Sequence, residues 1–220
     1  LLDDNCDNTY VDSSSVSDKP NLIFSSKDIH IYSINICHIL PKLDELMLLL
    51  LENNIHILAA VNPFETAIND FELSIQGYKF ERKNRANKSG GGLIVYVKEK
   101  ESISYTRRFN LENTIESIGI QIKFTNTKPF LINFVYIPPD SRQDWIDIYL
   151  KTSLDLLSIN FQKYSYSETL IYRLPLIIHV AMVTFYSKYG LTQLITEPTR
   201  VTHNTSSIID HIYTTYPDSV

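Results

Sequence analysis

The sequence predicts an α+β sandwich in which two β-sheets are covered by helices. A strand, an apolar helix and a buried strand follow one another between Ile29 and Val61, which is the pattern of a strand–helix–strand unit. A β-rich centre follows, where a Gly-rich turn joins two strands and implies antiparallel pairing. With 220 residues, the chain is long enough for one domain with a sizeable core.

The first unit opens with a strand that alternation and β-branching indicate up to Asn35. Pro41 favours the first turn of a helix, and residues 43–53 are strongly apolar and predict that helix. Residues 55–61 then indicate a buried strand. Because the ends of parallel strands meet at one sheet edge, Asn35 and Val61 are expected close together.

The remaining pattern predicts strands over residues 73–80, 93–98, 118–124 and 130–137, and helices over residues 144–159 and 180–189. Residues 170–178 fit either a strand or a helix. The Ser-Gly-Gly-Gly run at residues 89–92 predicts a tight turn with positive φ angles. Residues 1–27 are rich in Asp, Asn and Ser and are expected to form a disordered leader, followed by one domain over residues 28–220.

Composition excludes several classes of protein. The net charge of −5 argues against a polyanion binder held by bulk electrostatics, although local charge can still act. Two cysteines, Cys6 and Cys37, are too few for a disulfide framework and favour a reducing compartment. Because no signal peptide and no apolar run of membrane-spanning length is found, we expect an intracellular location, nuclear or cytoplasmic, without membrane association.

Three features of the sequence are candidates for chemistry, and each has a purely structural alternative. Asn35 at a strand end can bond a ligand oxygen or simply close the strand into a turn. Tyr136, just before two prolines, can reach a phosphate oxygen or cap the core. Five basic residues flank the Gly-rich turn and suit either a phosphate backbone or a solvated hairpin tip: Lys79, Arg82, Lys83, Arg85 and Lys88.

Asp210 is an acidic residue in an otherwise apolar strand. A carboxylate there must be hydrogen-bonded or paired, so Asp210 is either a structural anchor or the orienter of a catalytic group. Adjacent strand residues point to opposite faces, so Asp210 and His211 cannot both face one site. The six histidines show no metal-ligand spacing.

The order of motifs along the chain goes further than any single motif. In chain order, the motifs are Asn35 after a first strand, Leu43-Asp44-Glu45-Leu46, Ile55-His56-Ile57-Leu58-Ala59, Arg82-Lys83-Asn84-Arg85 before Gly90-Gly91-Gly92, Tyr136-Ile137-Pro138-Pro139, residues 189–200 and Ile209-Asp210-His211-Ile212. From Ile29 onward, the chain resembles the endonuclease/exonuclease/phosphatase superfamily. Within it, the resemblance is to the apurinic-endonuclease-like domain of non-LTR (LINE-type) retrotransposons.

This resemblance implies a four-layered α/β sandwich, with two mixed sheets flanked by helices, that nicks DNA with Mg²⁺ or Mn²⁺. In such proteins an Asn and a Glu at the first two strand ends hold the metal, which neutralises charge that develops on the phosphate. A Tyr and an Asp-x-Asn pair position phosphate and water, and an Asp orients a histidine near the C-terminus. DNA is the implied partner, and a reverse transcriptase domain follows in the complete element.

Carried onto this chain, the resemblance makes Asn35 a metal-site residue, Tyr136 the phosphate-contacting phenol and Asp210 the orienting carboxylate. The residues expected near DNA are Lys83, Arg85, Thr199 and Arg200. The expected metal-binding Glu has no direct match. Glu65 can take its place if Pro63 bends the loop back, and otherwise the neutral Asn62 occupies the position.

Two further motifs depart from the pattern. The Gly-Asp-x-Asn motif is absent, and the nearest register is Tyr172-Arg173-Leu174-Pro175. The Ser-Asp-His motif is not reached before Val220, so the last strands are expected to be incomplete. The sequence therefore predicts a degenerate copy with little or no activity. The alternatives are a weakly active Mg²⁺-dependent nicking endonuclease, a non-catalytic DNA-binding relic, another branch of the superfamily, and an unrelated binding module.

Overall fold

The computed structural model shows two β-sheets packed face to face, with a helix on the outer face of one of them. It describes residues 29–61, 68–84, 92–100, 103–109, 116–125, 130–136, 144, 148, 151–152, 170–175, 191–208 and 210–214. The expected leader over residues 1–27 and the predicted helix over residues 180–189 lie outside this part of the chain. The extent of the domain therefore stays a prediction.

The first sheet, called sheet A, has four strands in the order β1-β2-β4-β3. They are β1 (Ile31–Asn35), β2 (Ile57–Val61), β3 (Tyr78–Lys83) and β4 (Leu93–Lys98). β1 and β2 are parallel, whereas β4 runs antiparallel to both β2 and β3. Sheet A is therefore mixed, and the predicted strand–helix–strand unit and the predicted hairpin are both confirmed.

Helix α1 (Leu43–Glu52) joins β1 to β2, and a 3₁₀ turn that contains Pro41 precedes it. Leu46 and Leu50 lie one turn apart on the buried face of the helix and pack against sheet A. Asn53 ends α1, and its Nδ2 donates a hydrogen bond of 2.9 Å to the carbonyl oxygen of Leu49. The helix predicted over residues 43–53 is thus confirmed.

The second sheet, called sheet B, has six strands in the order β5-β6-β7-β8-β12-β9. They are β5 (Ile103–Phe109), β6 (Glu116–Phe124), β7 (Phe130–Tyr136), β8 (Leu170–Pro175), β9 (Thr192–Gln193) and β12 (Asp210–Thr214). The β7–β8 pair is parallel and its neighbours are antiparallel, so sheet B is mixed as well. Two short strands form a separate antiparallel hairpin, β10 (Arg200–Val201) and β11 (Ser206–Ser207).

Two hydrophobic cores hold these layers together. One lies between α1 and sheet A, and the other lies between the two sheets. The inter-sheet core takes alternate residues from both sheets: Ile57, Ala59, Val61, Leu93, Val95, Val97, Ile118, Ile120, Ile122, Ile132 and Phe134. Asp144, Ile148, Lys151 and Thr152 are helical, in agreement with the helix predicted over residues 144–159.

The strand predicted over residues 73–80 is wrong in its position. β3 begins only at Tyr78 and continues to Lys83, through part of the basic segment. Leu73 and Ile75 are buried, but they reach the α1 core from a turn in which the Leu73 N–H bonds the Asp70 carbonyl oxygen. Apolar alternation in a turn that packs on a core resembles alternation in a strand, and this explains the error.

Two other segments were missed or left open. β5 was not predicted, although Ile103 and Tyr105 alternate with polar residues, because a register shift between Arg107 and Phe109 interrupts the pattern. Residues 170–178, which fit either element, contain the strand β8. β8 is held by parallel pairing with β7, a long-range interaction that local sequence does not reveal.

Two observations bear on the expected location. Cys37 is disulfide-bonded, so the cysteine content no longer favours a reducing compartment. Within the described ranges, no helix is long and apolar enough to cross a membrane.

Candidate functional site

One edge of sheet A carries a row of four residues, called the sheet-A row. Asn35 ends β1 opposite Val61, the last residue of β2. Leu93, the first residue of β4, pairs with both Val61 and Lys83, the last residue of β3. Cross-strand partners share a face, and Val61 and Leu93 belong to the inter-sheet core. Asn35 and Lys83 therefore occupy positions on the face that looks toward sheet B.

Asn35 itself is exposed at this edge. The next residue continues the pairing, because the Ile36 N–H donates to the Val61 carbonyl oxygen at 3.0 Å. The Sγ of Cys37 lies 3.8 Å from Oδ1 of Asn35. The amide group thus stands at the rim of the sheet, where an incoming ligand can reach it.

Sheet B carries a matching row, called the sheet-B row, of Glu116, Tyr136, Pro175 and Asp210. Glu116 at the start of β6 pairs with Tyr136 at the end of β7. Phe134 pairs with Arg173 in the parallel β8, so Tyr136 lies level with Pro175 two residues later. Pro175 pairs in turn with Asp210, the first residue of β12. Tyr136 is half-buried against the inter-sheet core, so the row faces sheet A.

The two rows meet at the same end of the sandwich. Gly92 is the residue before Leu93 of the sheet-A row. Its N–H donates a hydrogen bond of 2.6 Å to Oε2 of Glu116, which belongs to the sheet-B row. Gly92 has a φ of +95°, a conformation that side chains rarely adopt, and this explains why a glycine stands there. Asn35, Tyr136 and Asp210 were predicted separately, and the strand register brings their positions to one edge.

Glu116 is the residue at this edge that the sequence interpretation missed. Its side chain is 3% exposed, which is unusual for a carboxylate. The predicted strand began at Ile118. Extending the alternation of Ile120 and Ile118 back by two residues would have placed Glu116 on the buried face, so the signal was present.

The expected metal ligands are only partly placed. Asn62 and Glu65 lie outside the described residues, although Asn62 directly follows β2. In the part of the chain that the structure describes, no group of three or more His, Cys, Asp or Glu could hold a metal ion. Mg²⁺ prefers about six oxygen ligands. The amide of Asn35, the phenol of Tyr136 and the hydrogen-bonded carboxylate of Glu116 do not fit a divalent cation on their own.

The end of β8 is where the resemblance expects the Gly-Asp-x-Asn motif. Because β8 pairs with both β7 and β12, its last residue lies between Tyr136 and Asp210 in the sheet-B row. The chain has Arg173-Leu174-Pro175 there, with no carboxylate and no carboxamide. Pro175 also lacks a backbone N–H, so this position offers no backbone donor to a ligand.

His211 lies on the other face of sheet B. It is 5% exposed, and its Nδ1 lies 2.6 Å from Nε2 of Gln193, whose Oε1 accepts the backbone N–H of Ile212 at 2.9 Å. Its ring stacks on Tyr213 with centroids 6.0 Å apart. These contacts agree with the expectation that His211 and Asp210 serve different faces.

The basic segment begins on β3 and continues into the residues that follow this strand. Lys79 forms a 3.4 Å salt bridge with Glu99 at the far end of β3. Arg82 forms a 2.9 Å salt bridge with Asp70 and also donates to a loop carbonyl. Lys83 ends the sheet-A row. Arg85 and Lys88 lie outside the described residues.

Thr199 and Arg200 lie at the base of the β10–β11 hairpin. The Thr199 N–H donates to the Ser207 carbonyl oxygen at 3.1 Å. At the tip, the Thr205 N–H donates to Oγ1 of Thr202 at 3.0 Å and closes the turn. The hairpin has its own two-stranded sheet, and the side chains of residues 199 and 201–207 are exposed, so it is a projecting surface element.

A groove of about 760 Å³ lies away from this edge, between β3, the end of β4 and β5. Its lining includes Glu81 and Tyr105, whose side-chain oxygens are 3.5 Å apart. Burial, with the nearby charge of Glu81, raises the pKa of Tyr105 to about 12. Most of its lining lies at the ends of β3 and β4 that are farther from the sheet-A row, and none of the residues of the two rows lines it, so the groove is not part of the candidate site.

Two mixed sheets packed face to face, with polar positions collected at one edge, define the class: the chain has the endonuclease/exonuclease/phosphatase fold. It is similar to the endonuclease domain of TRAS1, a telomere-specific non-LTR retrotransposon, with a TM-score of 0.59 and 12% identity over 84% of this chain and 83% of that chain.

Two further solved structures show the same likeness. An AP endonuclease from Archaeoglobus fulgidus has a TM-score of 0.54 and 15% identity over 86% of this chain and 88% of that chain. D. rerio TDP2 complexed with a single-strand DNA product has a TM-score of 0.53 and 9% identity over 84% of this chain and 81% of that chain. No protein-family model matches the sequence, and no curated protein matches it. At these identities the likeness shows the fold alone.

Proposed function

We propose that this chain is a degenerate copy of the DNA endonuclease domain of a non-LTR retrotransposon, with affinity for DNA and little or no phosphodiester hydrolysis. The observation that carries the proposal is the sheet-B row. Tyr136 and Asp210 flank the end of β8, where Arg173-Leu174-Pro175 stands in place of an acid and an amide. The row thus keeps Tyr136 and Asp210 and lacks the polar pair that the resemblance expects between them.

The loss of activity follows from the number of groups replaced. Removing one preorganised polar group from an enzyme's active site typically lowers the rate about a hundredfold or more. The Asp and the Asn of the missing motif are absent at β8, and the expected metal-binding Glu is replaced by the neutral Asn62 or shifted to Glu65. A divalent cation, Mg²⁺ or Mn²⁺, would supply charge neutralisation at the phosphate. Among the groups that remain at the edge, the amide of Asn35 and the phenol of Tyr136 can donate hydrogen bonds to phosphate oxygens.

DNA affinity requires only a local positive surface, so it survives the loss of catalysis. Lys83 lies at the edge of the candidate site, and Arg85 follows two residues later in the connection to β4. Thr199 and Arg200 stand on the projecting hairpin and add a second surface for a phosphate backbone. The net charge of −5 makes this binding depend on these local groups.

A plasmid-nicking assay with Mg²⁺ or Mn²⁺ tests the catalytic part of the proposal. We expect no metal-dependent nicking above that of an Asn35→Ala/Tyr136→Ala double variant. Since Asn35 and Tyr136 remain at the edge, a weakly active nicking endonuclease that uses Asn35, Glu65, Tyr136 and Asp210 is the second candidate. Metal-dependent nicking that disappears in the double variant would establish this second candidate and refute the inactive copy.

Replacing Lys83 and Arg85 together by Ala is expected to weaken binding to duplex DNA about tenfold or more at moderate salt. Removing one phosphate contact makes the slope of log K against log salt shallower by about 0.9, so the double variant should change it by roughly 1.8. Lys79→Ala is the matched control, because Lys79 lies on the same strand and is paired with Glu99 at the other end. Fluorescence anisotropy over a salt series measures both quantities. Unchanged affinity and slope would make the segment a solvated hairpin tip.

A further inference from the structure

Glu116 is a buried carboxylate that the proposed chemistry does not use. It is 3% exposed, at the start of β6, and pairs across the strands with Tyr136. A carboxylate is retained at such a position only when hydrogen bonds replace its hydration. Its location in the sheet-B row means that its contacts bear directly on the candidate site.

The hydrogen bond from Gly92 to Glu116 crosses from one sheet to the other. Gly92 precedes Leu93, which pairs with both Val61 and Lys83. The 2.6 Å bond between the Gly92 N–H and Oε2 of Glu116 therefore links the sheet-A row directly to the sheet-B row. Because its acceptor is a carboxylate, the bond belongs to the stronger, charge-assisted kind.

Apolar contact also joins the two rows. Val61 and Leu93 meet the sheet-B side through the inter-sheet core, and Tyr136 packs against the same core. Burial of this apolar surface holds the two sheets together, and the hydrophobic effect itself has no preferred direction. The hydrogen bond at the rim adds a directional constraint on the offset of the two sheets, since it weakens steeply when donor and acceptor misalign.

From this geometry we infer that Glu116 is a positioning residue: by holding Gly92, it sets the spacing between Asn35 and Lys83 on one row and Tyr136 on the other. The inference rests on the proposed function, because this spacing decides how the edge meets a phosphate backbone. Glu116 acts through Gly92 and Tyr136 and is not assigned a contact with DNA.

The test compares three variants of the full chain. Glu116→Ala removes the acceptor, whereas Glu116→Gln keeps an oxygen at the same reach. Tyr96→Phe is the matched structural control, because it removes a buried hydrogen bond, from the Tyr96 hydroxyl to the Leu73 carbonyl oxygen, in the other core. Amide hydrogen exchange at Gly92 and duplex-DNA affinity by anisotropy are measured for each.

We expect Glu116→Ala to speed exchange at Gly92 about tenfold or more relative to neighbouring amides and to weaken DNA binding about tenfold. For Glu116→Gln, the Gly92 exchange rate and the DNA affinity should both stay within about threefold of the wild-type values, because a neutral acceptor still holds the Gly92 N–H. Tyr96→Phe leaves Gly92 exchange and DNA affinity unchanged. If Glu116→Ala does not fold, Glu116→Asp, one methylene shorter, takes its place with the same expected effects.

The outcomes separate the inference from the proposed function. A wild-type chain without DNA affinity overturns the proposed function. In that case the rate of amide hydrogen exchange at Gly92 still tests whether Glu116 holds the Gly92 N–H. Unchanged Gly92 exchange in Glu116→Ala overturns the positioning role even if DNA binds. Faster exchange with wild-type DNA affinity and salt slope overturns the role as well, since Glu116 then acts only on stability.

Discussion

Phe134→Ala is expected to lower the free energy of unfolding by about 3–5 kcal/mol, the usual range for removing a buried phenylalanine. Phe134 is 2% exposed and lies in the inter-sheet core, on a strand that pairs with β6 on one side and β8 on the other. Removal of the ring leaves a cavity between the two sheets, which adds to the loss of buried apolar surface. Chemical denaturation monitored by circular dichroism measures the change.

Val201→Ala is the control for Phe134→Ala. Val201 is 73% exposed on the β10–β11 hairpin, so its replacement should change the free energy of unfolding by no more than about 0.5 kcal/mol. A decrease below about 1 kcal/mol for Phe134→Ala would contradict the two-sheet core. It would also remove the basis for the candidate site, because the inter-sheet core brings the two rows together.

Lowering the pH from neutral toward 4 is expected to destabilise the fold through His56, by up to about 3 kcal/mol. His56 is 8% exposed, and its Nδ1 accepts the backbone N–H of His30 at 3.1 Å, which requires an unprotonated Nδ1. Burial is the largest cause that lowers the pKa of His56 to about 4, and the charge of His30 adds to it. Lys100 and Lys98 act in the same direction.

The direction of this pH effect follows from the pKa of His56 in the unfolded chain and in the folded chain. The unfolded chain has the ordinary pKa of 6.5 at His56, and the folded chain has a pKa of about 4. The unfolded state therefore binds the proton first as the pH falls. The contribution of His56 to the free energy of unfolding is fully present above pH 6.5. It decreases progressively as the pH falls and is lost below about pH 4.

Denaturant unfolding at several pH values, with the wild type and His56→Gln side by side, isolates this contribution from that of the carboxylates. Gln keeps an acceptor and does not titrate, so the variant should lose less stability between pH 7 and 4 than the wild type. His203→Gln is the control, because it makes the same substitution at an exposed histidine in the β10–β11 turn. Equal pH dependence in His56→Gln and the wild type would contradict the prediction.

The candidate site could be predicted only in part. Asn35 and Tyr136 were proposed because each stands where a strand pattern ends, and the structure places both at strand ends, while their roles stay predictions. Glu116 was missed because the strand was predicted to begin at Ile118, and its bond to Gly92, 24 residues away, is not visible in the sequence. The projecting hairpin at Thr199 was likewise not predicted, because its strands have only two residues each and show no periodicity.

The errors in the fold have a common cause. Leu73 and Ile75 alternate like strand residues but pack from a turn, and β8 shows no clear pattern but pairs with β7. Neither local pattern reports the long-range contacts that decide the conformation, which are the core against which Leu73 and Ile75 pack and the pairing of β8 with β7. Helix α1 was predicted well because its length and apolar content leave little choice of conformation.

The sequence by itself determined the alternation of strands and helix in the first unit, the hairpin around the Gly-rich run, and the residue types at strand ends. These are local properties, set by side-chain periodicity and backbone preference over a few residues. Only the tertiary structure decided that Asn35, Glu116, Tyr136 and Asp210 stand at one edge. That outcome depends on strand register and on the packing of two sheets, and both are set by contacts between residues far apart in the chain.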